Sequence, residues 1–261
     1  MRFYENCFVM MSEIMRDLLE MGLEVHPASM QNKIVRGDDQ YITKEMINYS
    51  YALLYREEED YLFLTDPRSK EWCKAEFKER ISGKVLNPGK AWKIRMELWK
   101  EFLVNTVSGK RFDYTYSERI IVCNALLKII YELNNNPDSR QCILTIWQPQ
   151  DIVNIGGRAR VPCSIYYQFM IRNNQLIIIY NQRSADVFAH FGNDIWLAWE
   201  LGKYVAHHVG VEFGYLVHNI ASLHTYKKDW GSLKIALHEI KALHETNTAQ
   251  SNKTEKGKRK S

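Results

Sequence analysis

Two strand-like runs separated by only two residues constrain the fold of this chain more than any other feature of its sequence. The runs SIYYQFMIR and QLIIIYNQR flank Asn173 and Asn174, and they are rich in the β-branched and aromatic residues that favour strands. Asparagine tolerates the left-handed backbone conformation that two-residue hairpin turns require. The pattern therefore predicts an antiparallel hairpin, and with it a sheet.

Periodic apolar segments elsewhere in the chain predict helices. Residues 1–22, 118–134 and 232–245 carry apolar residues at helical spacing, and residues 195–208 are apolar on nearly all sides, as in a buried helix. Pro137 cannot continue a helix, so we expect the segment at 118–134 to end before it.

The remaining patterns decide the fold class. Further strands are expected at 142–147 and 212–226, and the first third of the chain mixes helical and short strand patterns. Interleaved helices and hairpins predict an α+β fold with a mixed, largely antiparallel sheet. A hydrophobic content of 46% is enough for one large core, so we expect a single domain over residues 1–245.

The net charge of +4 is concentrated at one end of the chain. The last nine residues, KTEKGKRKS, hold five Lys or Arg and one Glu, so the other 252 residues balance to zero. We therefore expect residues 246–261 to form a disordered basic tail on a neutral body. Such a tail is only weak evidence for nucleic-acid binding, and a solvated end is favoured.

Membrane, disulfide and metal signals are weak in this sequence. No apolar run approaches the ~20 residues that span a bilayer, and residues 1–22 predict an amphipathic helix and not a signal peptide. The five cysteines are scattered, with no CxxC pair. We therefore expect a reducing compartment such as the cytoplasm, no membrane contact, no disulfide framework and no bound metal.

Cys163 is the cysteine whose surroundings suggest chemistry. It follows Arg158, Arg160 and Pro162, and it begins the first strand of the hairpin. Nearby cationic groups favour the thiolate, which is the nucleophilic form of the side chain. The alternative is a small buried apolar residue, which is the role of most isolated cysteines. On residue type alone, both interpretations stay open.

Four segments resemble the thymidylate synthase superfamily in order and spacing: NNPDSRQCILTIW, RVPCSIYYQFMIR, NQRSADVFAHFGND and VHNIASLHTYKKD. They contain an Asp-Ser-Arg turn before a strand, a Pro-Cys nucleophile, a Gln-Arg-Ser-x-Asp-Val segment and a His-x-Tyr near the end. The similarity covers about residues 134–230. It is looser upstream, where WCKAEFKERISG and RFDYTY resemble the family's glutamate-bearing helix and its active-site tyrosine region.

The resemblance implies a thymidylate synthase-like fold, with the sheet packed against a partner subunit in a homodimer. It also implies transfer of a one-carbon unit from 5,10-methylenetetrahydrofolate to C5 of a pyrimidine nucleoside monophosphate. In that reaction a thiolate, here that of Cys163, adds to C6 of the base and makes C5 nucleophilic. Arg183 would favour the thiolate and, together with Gln182 and Ser184, would bind the nucleotide, with the guanidinium group and the hydroxyl group on its 5′-phosphate.

The resemblance also assigns residues to the phosphate and the sugar. Arg140 would reach the phosphate that is bound in the partner subunit. Gln141 stands where a second arginine is usual, which predicts weaker phosphate binding or a donor elsewhere. His224 and Tyr226 would form hydrogen bonds with the sugar hydroxyl.

Three further side chains are assigned to the folate and to proton transfer by the same resemblance. Asp186 would face the folate ring. Glu76, in the glutamate-bearing helix, would order water and relay protons. Tyr116, in RFDYTY, would be the active-site tyrosine.

The end of NQRSADVFAHFGND bears on which base is recognised. Synthases place there an asparagine whose amide pairs with uracil, and ungapped alignment puts Asp194 at that position, not Asn193. A carboxylate accepts from the N4 amino group of cytosine and can share a proton with N3, which assists attack at C6, whereas it opposes O4 of uracil. This favours cytosine, as in phage-type deoxycytidylate hydroxymethylases. Two alternatives stay open: Asp194 caps the helix that follows, or a one-residue gap restores Asn193.

The fate of the methylene intermediate decides the product. Synthases reduce it with hydride from the folate behind an apolar C-terminus that excludes water. The end of this chain, AQSNKTEKGKRKS, is polar and charged. We therefore expect water attack and a deoxycytidylate 5-hydroxymethylase, acting on the monophosphate before DNA synthesis. The alternatives are methylation, as a thymidylate synthase or a dCMP methylase, and a catalytically silent homologue that binds nucleic acid through the tail.

Overall fold

Strands and helices alternate along the chain. The computed structural model describes residues 1–107, 109–156, 159–240 and 242, so Arg158 and the expected basic tail at 246–261 lie outside the described residues. The strands are β1 (Arg2–Tyr4), β2 (Leu23–Val25), β3 (Ser29–Met30), β4 (Lys33–Ile34), β5 (Thr43–Leu53), β6 (Val104–Thr106), β7 (Gly109–Arg111), β8 (Ile143–Thr145), β9 (Ser164–Arg172), β10 (Gln175–Asp186) and β11 (Glu212–Tyr226). The helices are α1 (Cys7–Met21), α2 (Arg68–Arg80), α3 (Met96–Trp99), α4 (Tyr116–Ile121), α5 (Ala125–Asn135) and α6 (Phe191–Val209). Residues 230–240 form a further helical segment.

A mixed seven-stranded sheet forms the centre of the fold. Its hydrogen-bonded order is β1-β5-β11-β10-β9-β8, and β2 also pairs with β5. The pairs β2–β5, β5–β11, β9–β10 and β8–β9 are antiparallel, whereas β1–β5 and β10–β11 are parallel. The expected α+β class with a mixed, largely antiparallel sheet is confirmed.

The predicted hairpin is confirmed in β9 and β10. Arg172 pairs with Gln175 across the turn. Asn173 and Asn174 have φ angles of 50° and 58°, in the left-handed region that a two-residue turn of this kind requires.

The next strand along the chain lies on the other side of β10. A parallel neighbour needs a crossover connection, and α6 supplies it between β10 and β11. In the resulting register Ser184 is opposite Ser222, and Asp186 is opposite His224. The polar C-terminal ends of both strands therefore meet at one edge of the sheet.

The expected single helix over residues 118–134 is wrong. The segment divides into α4 and α5, because Cys123 and Asn124 adopt left-handed backbone conformations with φ angles of 54° and 52°. In one continuous helix, Ile120 and Leu126 would lie about 120° apart around the axis. The break allows both side chains to face the core, where they are 4% and 8% exposed.

Three other elements begin or end away from their expected positions. The first helix begins at Cys7, where the Asn6 side chain accepts a hydrogen bond from the backbone N–H of Val9 at 2.9 Å, and β1 precedes it. Strand β8 covers only part of 142–147. Helix α6 begins at Phe191 and not at 195, so Asp194 lies in its first turn and the N-cap is His190. The alternative in which Asp194 caps this helix is therefore excluded.

The two faces of the sheet differ in burial. The face that packs against the helices carries a row of directly opposed, fully buried side chains across four strands: Phe169, Ile178, Leu216 and Leu53. The neighbouring row points to the other face, where Gln168, Ile179 and Val217 are only half-buried and Ala52 is fully buried. The helices thus cover one face, and the second face is left for another layer.

Candidate active site

A cavity of about 820 Å³ lies at the edge of the sheet where β10 and β11 end. Parallel neighbours end at the same edge, so their pairing brings the residues of the Gln-Arg-Ser segment beside those of the His-x-Tyr segment. Side chains from helices α2, α4 and α6 complete the lining. Nine of the side chains expected from the sequence line this cavity: Glu76, Tyr116, Cys163, Arg183, Ser184, Asp186, Asp194, His224 and Tyr226.

Cys163 and Arg183 are held against each other. The backbone N–H of Arg183 donates to the carbonyl oxygen of Cys163 at 2.9 Å. The guanidinium group donates from Nε to the Pro162 carbonyl at 2.9 Å and from Nη2 to the Val161 carbonyl at 3.2 Å. This fixes Nη2 at 3.8 Å from Cys163 Sγ, and Ser184 Oγ lies at the same distance from the sulfur. The Cys163 sulfur therefore has a fixed cation and a hydroxyl group as its neighbours.

Gln31 is a contact of the sulfur that the sequence did not suggest. Its Nε2 lies 3.7 Å from Cys163 Sγ. Gln31 sits in the turn between β3 and β4 with a φ angle of 54°. A single polar residue in a short turn carries no sequence signal for this contact, because the contact spans 132 positions of the chain.

Asp194 faces the cavity, whereas Asn193 does not. Asp194 is part of the cavity lining and is half-buried. Asn193 is 3% exposed, and its side-chain nitrogen lies 3.3 Å from Nδ1 of His190. Asn193 and Asp194 both lie in the first turn of α6, which begins at Phe191. Because consecutive side chains of a helix point about 100° apart, only one of these two side chains faces the cavity.

Asp194 belongs to a chain of buried hydrogen bonds. Its Oδ2 accepts from Gln182 Nε2 at 2.8 Å, Gln182 Oε1 lies 2.8 Å from His218 Nε2, and His218 Nδ1 lies 2.9 Å from the Tyr51 hydroxyl. Burial raises the pKa of Asp194 to about 6, against the opposing effects of the Gln182 hydrogen bond and of Arg80. Burial also lowers the pKa of His218 to about 3, so its ring is neutral at physiological pH.

Arg80 contacts both Glu76 and Tyr116. Glu76 Oε1 accepts from Arg80 Nε at 3.0 Å, one helical turn along α2. The Arg80 guanidinium group stacks 3.8 Å from the centroid of the Tyr116 ring. The Tyr116 hydroxyl is 2.9 Å from Ser164 Oγ, and burial raises the pKa of this tyrosine well above its usual value, so it remains a phenol.

Asp186 occupies the end of β10 beside the His-x-Tyr segment. Its Oδ1 accepts from the backbone N–H groups of Phe188 and Ala189 at 3.0 and 3.3 Å. Burial raises the pKa of Asp186, while His224 has the opposite effect. Burial and the neighbouring Asp186 carboxyl both raise the pKa of Tyr226. Asp186, His224 and Tyr226 thus form one polar part of the cavity lining.

An aromatic wall lines the cavity on the side of α2 and α3. The rings of Trp72 and Trp99 are stacked, with centroids 5.5 Å apart and planes inclined by 21°. The Arg160 guanidinium group lies 4.6 Å from the Phe102 ring centroid and 5.3 Å from that of Trp99. Flat aromatic surfaces with a guanidinium group suit a planar, partly anionic ligand.

Two of the expected residues lie away from the cavity. Gln182 is 3% exposed, and both ends of its amide are used by Asp194 and His218, so in this chain it holds Asp194 in place. Arg140 is exposed outside the cavity of its own chain.

The described residues contain neither a membrane-spanning helix nor a cluster of metal-binding side chains. None of the described helices is long and apolar enough to cross a membrane. Across residues 1–107, 109–156, 159–240 and 242, no group of three or more His, Cys, Asp or Glu side chains could hold a metal ion.

Comparison with known proteins agrees with this geometry. The family model for thymidylate synthase matches residues 56–256. A putative thymidylate synthase of Methanocaldococcus jannaschii is 33% identical over 117 residues, which cover 44% of this chain and 52% of that protein. A thymidylate synthase of Listeria monocytogenes is 29% identical over 168 residues, 62% of this chain and 48% of that protein. A thymidylate synthase of Mycoplasma genitalium is 30% identical over 112 residues, 43% of this chain and 38% of that protein.

The matched lengths limit what these relatives imply about the whole protein. The chain spans about half the length, or less, of the curated relatives it matches. The family match itself covers most of the chain and includes every expected site residue. The chain therefore belongs to the thymidylate synthase family.

Proposed function

We propose that this protein is a deoxycytidylate 5-hydroxymethylase, which transfers a one-carbon unit from 5,10-methylenetetrahydrofolate to C5 of dCMP and adds water to give 5-hydroxymethyl-dCMP. The observation that carries the choice of base is the position of Asp194, which lines the cavity while Asn193 is turned away from it. The family membership supports the one-carbon transfer.

The groups around Cys163 support nucleophilic catalysis. Its sulfur would add to C6 of the base, after which C5 attacks the one-carbon unit. Arg183 and Ser184, both 3.8 Å from the sulfur, would stabilise the thiolate and bind the 5′-phosphate. His224 and Tyr226, at the adjacent strand end, would bind the sugar hydroxyl.

The carboxyl group of Asp194 supports recognition of cytosine. Oδ2 accepts from Gln182, so Oδ1 is left to face the base. With a pKa of about 6, this group holds and releases a proton near neutral pH. It can therefore accept from the N4 amino group and share a proton with N3 of cytosine, whereas an ionised carboxylate would repel O4 of uracil.

The aromatic wall and Glu76 support the role of the folate and the choice of product. The folate would supply the one-carbon unit, and its planar ring system suits the wall formed by Trp72 and Trp99, which line the same cavity as Asp186. Glu76 lines the cavity, and one of its oxygens accepts from Arg80. The other oxygen would orient a water molecule and accept its proton when water adds to the methylene carbon.

A second candidate, methylation of dUMP, is favoured by the names of the relatives, which are thymidylate synthases. It requires recognition of uracil and reduction of the methylene group. In either case Arg140, exposed outside its own cavity, would act from the partner subunit of a homodimer.

The experiment is to incubate purified protein with 5,10-methylenetetrahydrofolate and either dCMP or dUMP, and to weigh the nucleotide product. We expect dCMP to gain the mass of CH2O, with tetrahydrofolate released. Conversion of dUMP alone would overturn the choice of base. A gain of CH2 with formation of dihydrofolate would overturn the choice of product.

A matched pair of variants tests the residue that carries the proposal. Asp194→Asn should move the preference from dCMP towards dUMP, because an amide can donate to O4 and accept from N3–H. Asn193→Ser changes the neighbouring side chain, which faces His190, and should leave the preference as it is. A preference that follows position 193 instead would show that Asn193 reads the base.

A further inference from the structure

The hydrogen-bond chain behind Asp194 reaches two residues that lie outside the cavity. His218 on β11 and Tyr51 on β5 are both 0% exposed, and Gln182 separates them from Asp194. The His218 ring is stacked on Tyr180, with centroids 4.5 Å apart and planes inclined by 11°. The Phe191 ring lies 5.9 Å away at 14°. Both rings are nearly parallel to the imidazole plane, and its two nitrogens lie within hydrogen-bond distance of Tyr51 and Gln182.

This chain has two self-consistent arrangements of protons. In the first, Tyr51 donates to His218 Nδ1, His218 Nε2–H donates to Gln182 Oε1, and Gln182 Nε2 donates to Asp194 Oδ2. In the second, each of these hydrogen bonds runs in the opposite direction. His218 Nδ1–H donates to Tyr51, the Gln182 amide is rotated so that its nitrogen donates to His218 Nε2, and Asp194 must carry a proton on Oδ2 that it donates to the Gln182 oxygen. A neutral imidazole has one N–H, so the tautomer of His218 and the orientation of the amide change together.

The charge of Asp194 selects between the two arrangements. An ionised carboxylate only accepts, so it is compatible with the first arrangement and opposes the Gln182 oxygen in the second. Burial raises the pKa of Asp194 to about 6, against the opposing effects of the Gln182 hydrogen bond and of Arg80, so the ionised form still predominates at pH 7. Turning the amide over in the presence of substrate would require the concerted reversal of three buried groups, because each unmatched donor or acceptor in the interior is unfavourable.

We propose that His218 and Tyr51 are positioning residues for base recognition, which fix the Gln182 amide so that it donates to Asp194 Oδ2 and thereby leave Oδ1 as the oxygen that shares a proton with the pyrimidine. This rests on the proposed function in one respect, namely that Asp194 reads the base. Among the described residues, Oδ1 takes part in no hydrogen bond, and Asp194 lines the cavity. A proton on Oδ1 would be shared with the base, whereas a proton on Oδ2 would be lost to Gln182.

The tautomer of His218 can be observed without any substrate. In protein with 15N-labelled histidine, we expect the His218 ring to show a protonated Nε2 and an unprotonated Nδ1 at pH 7, assigned by loss of the signals in His218→Gln. A protonated Nδ1 would overturn the proposal, whether or not dCMP is the substrate. This measurement is therefore independent of the proposed function.

The effect on recognition is tested by equilibrium binding of dCMP and of dUMP to full-length variants. Tyr51→Phe removes one hydroxyl group and leaves the ring in the core. It should weaken dCMP binding about five- to tenfold, which corresponds to the net free energy of one or two hydrogen bonds. Binding of dUMP should change less than about twofold. Tyr49→Phe is the matched control, since its hydroxyl bonds to Tyr4 at 2.9 Å and not to His218, and both affinities should stay as in the parent.

A rescue variant separates positioning from a purely structural role. His218→Gln keeps a donor that can reach Gln182, whereas His218→Leu has none, so the first should retain the dCMP preference and the second should lose it. Thermal unfolding of each variant establishes that it is folded. Equal weakening of both nucleotides, or a preference unchanged in both Tyr51→Phe and His218→Leu, would overturn the proposal. A parent protein that prefers dUMP would contradict the proposed function instead, and the ring nitrogens would still decide the proton arrangement.

Discussion

At the scale of single residues, Cys163 is the group on which the proposed chemistry depends most directly. Its sulfur is 3.8 Å from Arg183 Nη2 in the cavity wall. Because no other side chain can replace a thiolate that bonds to the base, Cys163→Ala should lower kcat by at least about 10³-fold. Nucleotide affinity should change by less than about fivefold, since Arg183 and Ser184 remain. Steady-state kinetics and calorimetric titration with dCMP measure the two effects.

The matched control for this substitution is Cys142→Ala. Cys142 is 2% exposed in the core, away from the cavity, so its substitution should lower the melting temperature and leave kcat within about twofold. Turnover that survives in Cys163→Ala would mean that the base is activated without a covalent bond to this residue.

Asp194 links the site to the stability of the fold. Burial raises its pKa to about 6, above the value near 3.9 of an unfolded chain, so the folded protein binds this proton more tightly. This contribution to stability is fully present below about pH 4 and is lost as the pH rises through about 6. Asp194→Asn should therefore be about 1–2 kcal/mol more stable than the parent at pH 8, with a difference that shrinks towards pH 4. Urea unfolding at both pH values measures it, and a difference independent of pH would contradict it.

The site residues differ in how far the sequence could predict them. Cys163, Arg183, Ser184 and Asp194 were predictable because each lies in a short segment whose order and spacing identify it. His218 carries no such signal, since a single histidine at an inward position of a strand is ordinary. Its proposed role depends on Tyr51 being directly opposite in the sheet, 167 positions away in the chain. Contacts of that kind follow from the register between strands that are far apart in the chain, which local sequence does not encode.

At the scale of elements, the start of α6 decides what reaches the cavity. Gly192, in its first turn, packs against the backbone of Leu62, and a Cβ atom at this position would overlap the Leu62 carbonyl group. Gly192→Ala should therefore push the helix away and destabilise the protein by about 2–4 kcal/mol. The shift also moves Asp194, so discrimination between dCMP and dUMP should fall. Thermal unfolding and binding of both nucleotides measure these effects.

Gly231 is the matched control for that substitution. It lies in the helical segment at 230–240, and a Cβ atom there would meet nothing within 4 Å. Gly231→Ala should raise the stability by up to about 1 kcal/mol, because alanine is the better helix former. If Gly192→Ala were equally harmless, the close approach of α6 to Leu62 would not determine the position of Asp194.

The hairpin and the divided helix show which elements sequence patterns predict. Asn173 and Asn174 have a backbone requirement that few residues meet, so the turn and its register were predictable from two positions. Residues 118–134 show apolar residues on a wide face, and this pattern fits one long helix as well as two short ones. The break at Cys123 and Asn124 is determined by which side chains the core can accept, and that information lies in other parts of the chain.

At the scale of the whole molecule, the second face of the sheet and the exposed Arg140 are compatible with the proposed homodimer. Helices cover one face, and the row formed by Gln168, Ile179 and Val217 on the other face is half-buried in a single chain. A second copy packed on this face would form a symmetric interface, in which each chain presents the same surface. Arg140 would then be free to reach the cavity of the partner, as the proposed phosphate contact requires.

Mixing one impaired and one inactive variant tests this arrangement. Arg140→Ala alone should raise the KM for the nucleotide by about 10- to 100-fold, the loss of a charge-assisted contact, and Cys163→Ala alone should be inactive. After joint unfolding and refolding in equal amounts, about half of the dimers contain one chain of each kind, and one of their two sites has both Cys163 and Arg140. Activity at low nucleotide concentration should then recover to about a quarter of that of the parent. If Arg140 acts within its own chain, no mixed dimer contains a complete site and the activity stays at the level of the Arg140→Ala chains alone.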